Sequence, residues 1–577
     1  MIFPNGPAGG FHVNMGGVQP KPKKERKAIG GKAMCIAVNL GVTLLVAAVY
    51  FYVTLPAINL KAEEFYGFVF LLCVVYCACA ALTAGFRGEG GKDYFTFFKA
   101  QCKLPLLLVA ALAVTALVGA LSSWVVLRAD AYQKLLTVRP GDFASEVDEI
   151  RYDQIPMLDG ASAQRLGDRK LGELADMVSQ FEVAEDYTQI NYRGRPVRVT
   201  PLRYGDIIKW FNNRSSGLPA YLIIDMVTQN VEVVRLADGM KYTTAEHFSR
   251  NLYRHLRFHY PTMMFEEPIF EIDEAGTPWW VCAKREKTIG LFGGVDNRGA
   301  VLVNAITGES TYYEEVPAWV DHVYSAALIM EQYDYYGQYH NGFWNSIFGQ
   351  RDVTRTTQGY NYLAIGDDVW VYTGVTSVGG DESNIGFILS DQRTKETHYY
   401  AVAGAEEFSA MGSAEGQVQQ MRYNATFPLL LNIADQPTYF MALKDAASLV
   451  KMYAMVNVSQ YQIVATGSSV MECETNYRNM LAQNGLIGEG QTAVSSSEEL
   501  RSCSGVIDEI RSAVIDGNTC YYYYLRVDGG RDVDIFRAGA AKLPLAPLLS
   551  TGDRVTVYYR DTDVAQYWID ACDIAVG

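Results

Sequence analysis

Three long apolar runs without a charged side chain constrain the fold of this chain more than any other feature of its sequence. They cover residues 35–55, 65–85 and 104–127. A helix needs about 20 apolar residues to cross a bilayer core, so each run is long enough to span a membrane once. The sequence therefore predicts three transmembrane helices, and Asn39, the strongest polar group in the first, is expected to hydrogen-bond a neighbouring helix.

The positions of Lys and Arg around these runs predict their orientation. The loop between the first two runs holds one such residue, Lys61, whereas ten precede the first run or lie between the second and third: Lys21, Lys23, Lys24, Arg26, Lys27, Lys32, Arg87, Lys92, Lys99 and Lys103. Cytoplasmic loops retain Lys and Arg, so the N-terminus is predicted to be cytoplasmic. Three crossings then place the remaining body outside the cytoplasm, as part of a multi-pass protein of the cell membrane.

Charge divides the chain into two unlike parts. Residues 1–128 carry twelve Lys or Arg against five Asp or Glu, while the whole chain has a net charge of -15, which leaves -22 for residues 129–577. Nucleic-acid binding depends on neutralising phosphates with Lys and Arg, so an acidic body argues against it. Residues 1–34, rich in Gly and Pro before a basic run, are predicted to form a disordered cytoplasmic leader.

The body shows an α+β pattern. Residues 128–200 are interpreted as a stalk with a helix at 169–181, and helices are also predicted at 244–258 and 413–423. Alternating apolar runs begin at residues 220, 300, 386 and 439, and each is followed by a polar turn and a second such run. The sequence therefore predicts repeated units of a helix plus an antiparallel hairpin, at 201–320 and, with further β-rich units, at 321–470.

The polar turns carry a resemblance to a known module. Asn304, Thr307, Gly308 and Glu309 match the Asp/Asn-x-x-Thr-Gly-Glu turn that is typical of PepSY units, and residues 225–229 match it in part, with Gln229 in place of Gly. The resemblance covers residues 200–320 and, more weakly, 380–465. It implies a membrane-tethered, extracytoplasmic protein, as PepSY-bearing proteins commonly are. It also implies a role in inhibiting or regulating peptidases, often those of the cell wall, with which the module is associated.

The last segment, residues 502–577, has a different pattern. Five short strand-like runs are separated by turn signals at residues 516–517, 528–530 and 552–553. Five short strands predict a small β-barrel that resembles an OB-fold. Although residues 521–524 are four consecutive tyrosines, alternation sends half of them into the core, and the acidic surroundings favour a structural or protein-binding barrel over a nucleic-acid binder.

Catalytic and metal-binding signatures are scarce in the sequence. It lacks H-E-x-x-H, G-x-S-x-G, a phosphate loop and G-x-G-x-x-G. His255 and His259 are four residues apart, as two metal ligands on one helix face would be, but neighbouring arginines disfavour a cation and surface histidines are the preferred interpretation. Asp367 and Asp368 lie in a turn-like context, where Asp bonds its own backbone. No catalytic residue, metal or cofactor is therefore predicted.

Two segments stand out as candidate ligand or partner surfaces. Residues 333–348 hold eight aromatic rings in sixteen residues, the imidazole of His340 included. This suits a sugar or peptide surface but also a buried core or a seam between domains, the preferred interpretation. Residues 374–386 form a Gly-rich stretch that permits close backbone approach. The residues chosen as the candidate surface are Tyr335, Tyr336, Trp344, Asp381 and Glu382.

These features together predict a bacterial membrane-anchored scaffold or regulator that binds an envelope protein, a peptidase being one option, and that is not an enzyme. Two alternatives stay open, namely an envelope enzyme acting on glycan or peptide and an accessory subunit of a membrane complex. The predicted partners are the lipid bilayer and an envelope protein. Homo-oligomerisation and the disulfide state of four late cysteines are left open; these are Cys473, Cys503, Cys520 and Cys572.

Overall fold

A computed structural model describes residues 31–86, 91–149, 155–379, 383–488, 491, 501–515, 518–527, 533–539, 546–559 and 567–574. Three N-terminal helices are long and apolar enough to cross a membrane: α1 (Lys32–Thr54), α2 (Glu63–Phe86) and α3 (Gly91–Ser122). We call them the anchor helices. α3 begins 13 residues before the predicted apolar run and ends at Ser122 rather than at residue 127, because the chain breaks its helical path at residues 123–124.

Small and polar side chains hold the anchor helices together. Asn39 of α1 is fully buried and shares a hydrogen bond of 3.2 Å with Thr83 of α2, as expected from the sequence. Near the same ends, Cys35 of α1, Ala84 of α2 and Phe97 of α3 form one apolar cluster. Most of the remaining apolar side chains of these helices are exposed, as membrane-facing surfaces are.

The chain then forms α4 (Val125–Gln133), β1 (Val138–Gly141), α5 (Phe143–Glu146) and α6 (Gly160–Gly172) before the first sheet. This sheet contains β2 (Phe181–Val183), β3 (Thr188–Tyr192), β4 (Arg195–Tyr204), β5 (Leu218–Asp225) and β6 (Val231–Met240), with α7 (Ile207–Asn213) between β4 and β5. Its strands therefore begin within the segment interpreted from the sequence as a stalk. The helix expected at 169–181 lies earlier, because Asp159 caps α6 by accepting a hydrogen bond from Ser162 N.

Three further five- to seven-stranded sheets follow. The second is preceded by α8 (Leu252–His259) and contains β7 (Met264–Phe265), β8 (Ile269–Ile272), β9 (Pro278–Ile289), β10 (Gly293–Asn304) and β11 (Ser310–Tyr313). The third is preceded by α9 (Ala326–Tyr339) and contains β12 (Thr354–Thr356), β13 (Asn361–Ile365), β14 (Asp368–Ser377), β15 (Ser383–Asp391), β16 (Thr397–Tyr400) and β17 (Gly404–Ala405). The fourth is preceded by α10 (Glu407–Gln417) and contains β18 (Asn424–Ala425), β19 (Leu429–Ile433), β20 (Gln436–Lys444), β21 (Val450–Asn457) and β22 (Val464–Gly467), with α11 (Val470–Gln483) after it.

The four sheets have the same order of pairing. In each, two short strands pair with one long strand, which pairs with a second long strand, which in turn pairs with a further strand. That further strand is the edge of the first, second and fourth sheets. The first and second sheets share one apolar core, and the third and fourth share another. β1 adds to the third sheet by pairing in parallel with β16, so the segment that leaves the anchor helices is built into the body.

The turn between the second long strand and the strand that follows it has a recurring geometry in the first three sheets, and a similar turn joins the two long strands of the fourth sheet. Asp225, Asn304, Asp391 and Asp445 each accept hydrogen bonds from backbone amides two to four residues later. The residue four positions after the Asp or Asn has a positive φ in the first three turns, at Gln229 (60°), Gly308 (77°) and Lys395 (66°), and Ser448, three positions after Asp445, has the same sign at 57°. Only Gly adopts this conformation without steric cost, so Gln229, Lys395 and Ser448 each hold a strained backbone conformation in their turns.

The last five strands close in the pairing order β23-β24-β25-β27-β26. Their bounds are β23 (Arg501–Ile515), β24 (Asn518–Val527), β25 (Val533–Gly539), β26 (Arg554–Tyr559) and β27 (Tyr567–Ile574). Tyr523 and Leu525 are buried while Tyr522 and Tyr524 are partly exposed, which confirms the expected alternation. Cys282, Cys473 and Cys520 are buried free thiols.

Candidate functional site

The second sheet and its helix α8 are bonded directly to the C-terminal end of α1. Arg257 Nε donates to Leu55 O at 2.9 Å, and Arg254 Nε donates to Tyr52 O at 3.2 Å. The last carbonyls of a helix lack partners within the helix and carry its negative dipole end, which favours cations there. Phe258 completes the contact by packing edge-on against Phe51, with ring centroids 5.5 Å apart.

The same sheet also contacts the adjoining ends of α2 and α3. Lys287 Nζ lies 3.2 Å from Glu63 Oε1 in the first turn of α2. At the end of α3, Ser123 Oγ accepts hydrogen bonds from Leu291 N at 3.0 Å and Phe292 N at 2.9 Å, in the tip of the β9–β10 hairpin. The body is therefore fixed to all three anchor helices at one end of the bundle, opposite the end that carries the basic residues.

The predicted aromatic segment forms a row along α9. Ring centroids are 4.8 Å apart for Tyr132 and Tyr335, 6.1 Å for Tyr335 and Tyr339, and 6.1 Å for Tyr339 and Phe343. The row continues to Trp344, whose ring lies 5.4 Å from that of Phe343. Tyr132 OH donates to Ser123 O at 2.7 Å, so the row starts beside the end of α3.

The row is exposed at its far end and buried on its inner face. Trp344 and Phe348 stack with centroids 5.9 Å apart and are 65% and 78% exposed. Tyr336 turns inward and packs against Tyr333, which is 2% exposed. The segment thus supplies both core and surface, and it brings together Tyr335 and Trp344 of the predicted surface. The other two chosen residues, Asp381 and Glu382, lie outside the described residues.

A cavity of about 230 Å³ lies where the first, third and fourth sheets meet. Arg198, Tyr362, Phe440 and Asp159 are among its lining residues. Arg198 donates to Tyr187 O at 2.9 Å and to Leu158 O at 3.3 Å, and burial lowers the pKa of its guanidinium. These residues are distant in the sequence and follow no spacing rule, which is why sequence reasoning did not find the cavity.

A buried acidic junction joins the first three sheets. Glu271 accepts hydrogen bonds from Asp321 N at 3.0 Å and from His322, whose Nδ1 lies 2.9 Å away. Asp321 Oδ2 in turn accepts from Asn191 N of β3 at 2.8 Å. Burial, followed by the charge of Glu271, raises the pKa of Asp321. The carboxylates of Glu271 and Asp321 are hydrogen-bonded within this cluster, so its geometry suits structural support of the junction.

The other titratable candidates are bonded within their own surroundings. Asp368 pairs with Arg393 at 2.5 Å, and His340 Nδ1 lies 3.1 Å from Gly337 O at the end of α9. His255 and His259 share one face of α8, as their spacing predicts, with ring centroids 4.2 Å apart. The expectation that both are surface residues is wrong for His255, which is 9% exposed because it packs beside Tyr242.

Within the described ranges, no group of three or more His, Cys, Asp or Glu side chains is arranged to hold a metal ion. Comparison of the chain with known proteins finds no family model that matches it and no similar curated protein. The arrangement that distinguishes this molecule is therefore the fixed junction between the anchor helices and the body, together with the exposed aromatic row beside it.

Proposed function

We propose that this chain is a multi-pass membrane protein whose extracytoplasmic body acts as a scaffold or regulator for another envelope protein. The observation that carries the proposal is the bonded junction between the second sheet and all three anchor helices. A body on a loose tether samples many orientations, whereas one hydrogen-bonded to helix ends presents its surfaces at a fixed height and angle. Such pre-organisation reduces the entropic cost of binding a partner in the same membrane.

The orientation follows from the position of the basic residues. Lys32 begins α1, and Lys92, Lys99 and Lys103 lie in the first half of α3, whereas the body contacts the opposite helix ends. Under the rule that cytoplasmic segments retain Lys and Arg, the body belongs on the extracytoplasmic side. This assignment supports a role in the cell envelope.

The shared sheet order and turn geometry support the interpretation of the four sheets as copies of a PepSY-like unit, and the closed five-stranded order supports an OB-like barrel. The PepSY resemblance favours a peptidase as the regulated partner. Regulation by binding agrees with the internal pairing of Asp368 with Arg393 and of His322 with Glu271, which leaves these groups engaged in structure. Among the residues that the structure describes, the envelope-enzyme alternative has no comparable observation in its favour.

The exposed end of the aromatic row is the surface proposed for the partner. Large aromatic side chains are enriched among the residues that dominate protein interfaces. Trp344 and Phe348 are exposed, and the row behind them is anchored through Tyr335 and Tyr132 to the end of α3. A partner that binds there would lie close to the membrane surface.

Photocrosslinking in living cells tests this proposal. The full chain carrying p-benzoylphenylalanine at position 344 is expected to form an adduct with one envelope protein, and Phe348→Ala is expected to reduce its yield. The matched control is the same probe at Phe408, an exposed aromatic residue on α10. Equal adducts at both positions, or none at position 344, would contradict the assignment of the partner surface.

A further inference from the structure

A second exposed apolar surface lies beside the end of α1. It consists of five side chains that are each more than half exposed: Ile207, Ile208, Phe211, Phe248 and Phe258. The buried Trp210 connects two of them, since its ring lies 6.4 Å from that of Phe211 and 5.8 Å from that of Phe248. We call this set the basic apolar surface, because cationic side chains flank it.

The cations of this surface are held among its aromatic rings. Arg214 lies over the Phe211 ring at 4.2 Å from its centroid, and Arg250 Nη1 donates to Arg214 O at 2.5 Å. Arg254 Nη1 donates to Phe248 O at 2.6 Å. The nearby carboxylate of Asp206 caps the N-terminus of α7. It accepts a hydrogen bond from Ile208 N at 2.8 Å and also pairs with Lys209. Positive charge therefore accumulates locally on an otherwise acidic body.

The position of the surface is set by α1. Phe258 packs against Phe51 and Tyr52, with ring centroids 5.5 Å and 6.3 Å apart, and Arg254 lies over the Tyr52 ring at 4.2 Å. Phe51 and Tyr52 belong to the last turn of α1, which is where a membrane-spanning helix leaves the hydrocarbon core. The basic apolar surface is therefore continuous with the anchor helices at the level of the bilayer boundary.

We propose that the basic apolar surface is a lipid-binding face, with Ile207, Ile208, Phe211, Phe248 and Phe258 among the outer acyl chains and the arginines on the phosphates of anionic lipids. This inference rests on the proposed function, because it requires α1 to cross the bilayer. Apolar and aromatic residues rimmed by cations are typical of segments that lie in a membrane interface. The bilayer, already adjacent through α1, covers this face without a second protein.

Photocrosslinking of the purified full chain in vesicles of phosphatidylcholine and phosphatidylglycerol tests this inference. Three variants each carry p-benzoylphenylalanine at one position: Phe211 on the proposed lipid face, Leu45 in the middle of α1, and Phe408 on α10. Lipid adducts are expected at positions 211 and 45, and no lipid adduct is expected at position 408. One arginine near an anionic membrane surface raises the affinity for that surface by about fivefold. Arg214→Gln and Arg250→Gln should therefore each reduce the preference for phosphatidylglycerol over phosphatidylcholine by that factor.

The outcomes separate this inference from the proposed function. A lipid adduct at position 45 without one at position 211 would overturn the lipid-binding face and leave membrane anchoring intact. Absence of an adduct at position 45 would overturn membrane anchoring itself. An adduct from position 211 to a second copy of the chain would overturn the inference and show that this surface is a protein interface. Lipid adducts of equal yield at positions 211 and 408 would also overturn it, because lipid would then show no preference for the proposed face.

Discussion

Replacing Arg257 by Met should loosen the body from α1. Arg257 makes two short hydrogen bonds, from Nε to Leu55 O at 2.9 Å and from Nη1 to Met263 O at 2.6 Å. Only the bond to Leu55 crosses to α1, since Met263 belongs to the body. A hydrogen bond from a charged donor contributes about 1.5 kcal/mol or more, so the Arg257→Met variant should lose about 1.5 kcal/mol from the junction. A factor of ten corresponds to about 1.4 kcal/mol, and local opening should therefore become about tenfold more frequent.

Hydrogen exchange of the full chain in detergent or nanodiscs measures this opening. The reporter is the amide of Ile58, which donates to Pro261 O at 2.8 Å across the junction. The matched control is Arg235→Met, which removes an exposed arginine paired with Asp176 in the first sheet and should leave the Ile58 amide unchanged. Unaltered exchange at Ile58 in the Arg257→Met variant, or an equal increase in the control, would refute the junction as described.

Three further predictions concern two turns and a buried acid. Gly308→Ala should lower the free energy of unfolding by about 2 kcal/mol, because φ is +77° and a Cβ would overlap the ring of Tyr242, while Gln229→Gly should raise it by about 0.5 to 1 kcal/mol; thermal unfolding measures both. The pKa of Asp321 is raised in the folded chain, so its contribution to the free energy of unfolding is full below the ordinary Asp pKa and is lost as pH rises. The Asp321→Asn variant should therefore have a higher free energy of unfolding at neutral pH and a weaker dependence of that free energy on pH. A pH dependence equal to that of the unmodified chain would contradict this prediction.

The anchor helices were predictable because their determinant is local. About 20 consecutive apolar residues suffice to indicate a membrane helix, and Asn39 within them needed a polar partner, which Thr83 supplies. The helix ends were less predictable. α3 begins at Gly91, before its apolar run, because its first turns are helical although they mix aromatic residues with Lys92, Asp93 and Lys99.

The hairpins and their turns were partly predictable. Alternation identified the strand pairs, and the turn at Asn304 carried the full motif with Gly308. In the other turns a non-Gly residue such as Lys395 adopts the same positive φ, so the sequence signal was lost although the geometry was kept. Helix α6 was misplaced because its cap, Asp159, stands in a segment without clear apolar periodicity.

The candidate sites depend on tertiary contacts that no local pattern records. Arg257 and Leu55 are separated by 202 residues, and Lys287 and Glu63 by 224. The aromatic segment was visible from composition, but its division into a buried face at Tyr333 and an exposed end at Trp344 depends on how α9 packs. Long-range packing thus decided which of the candidate residues form a surface.

The central claim is that the body stands on the extracytoplasmic side of the membrane, and labelling of intact cells tests it most directly. A membrane-impermeant maleimide should label a Gln350→Cys variant, whose position is exposed on the body, and should label a Val18→Cys variant in the leader only after lysis. Labelling of position 350 only after lysis, with position 18 reactive in intact cells, would reverse the topology and contradict the account.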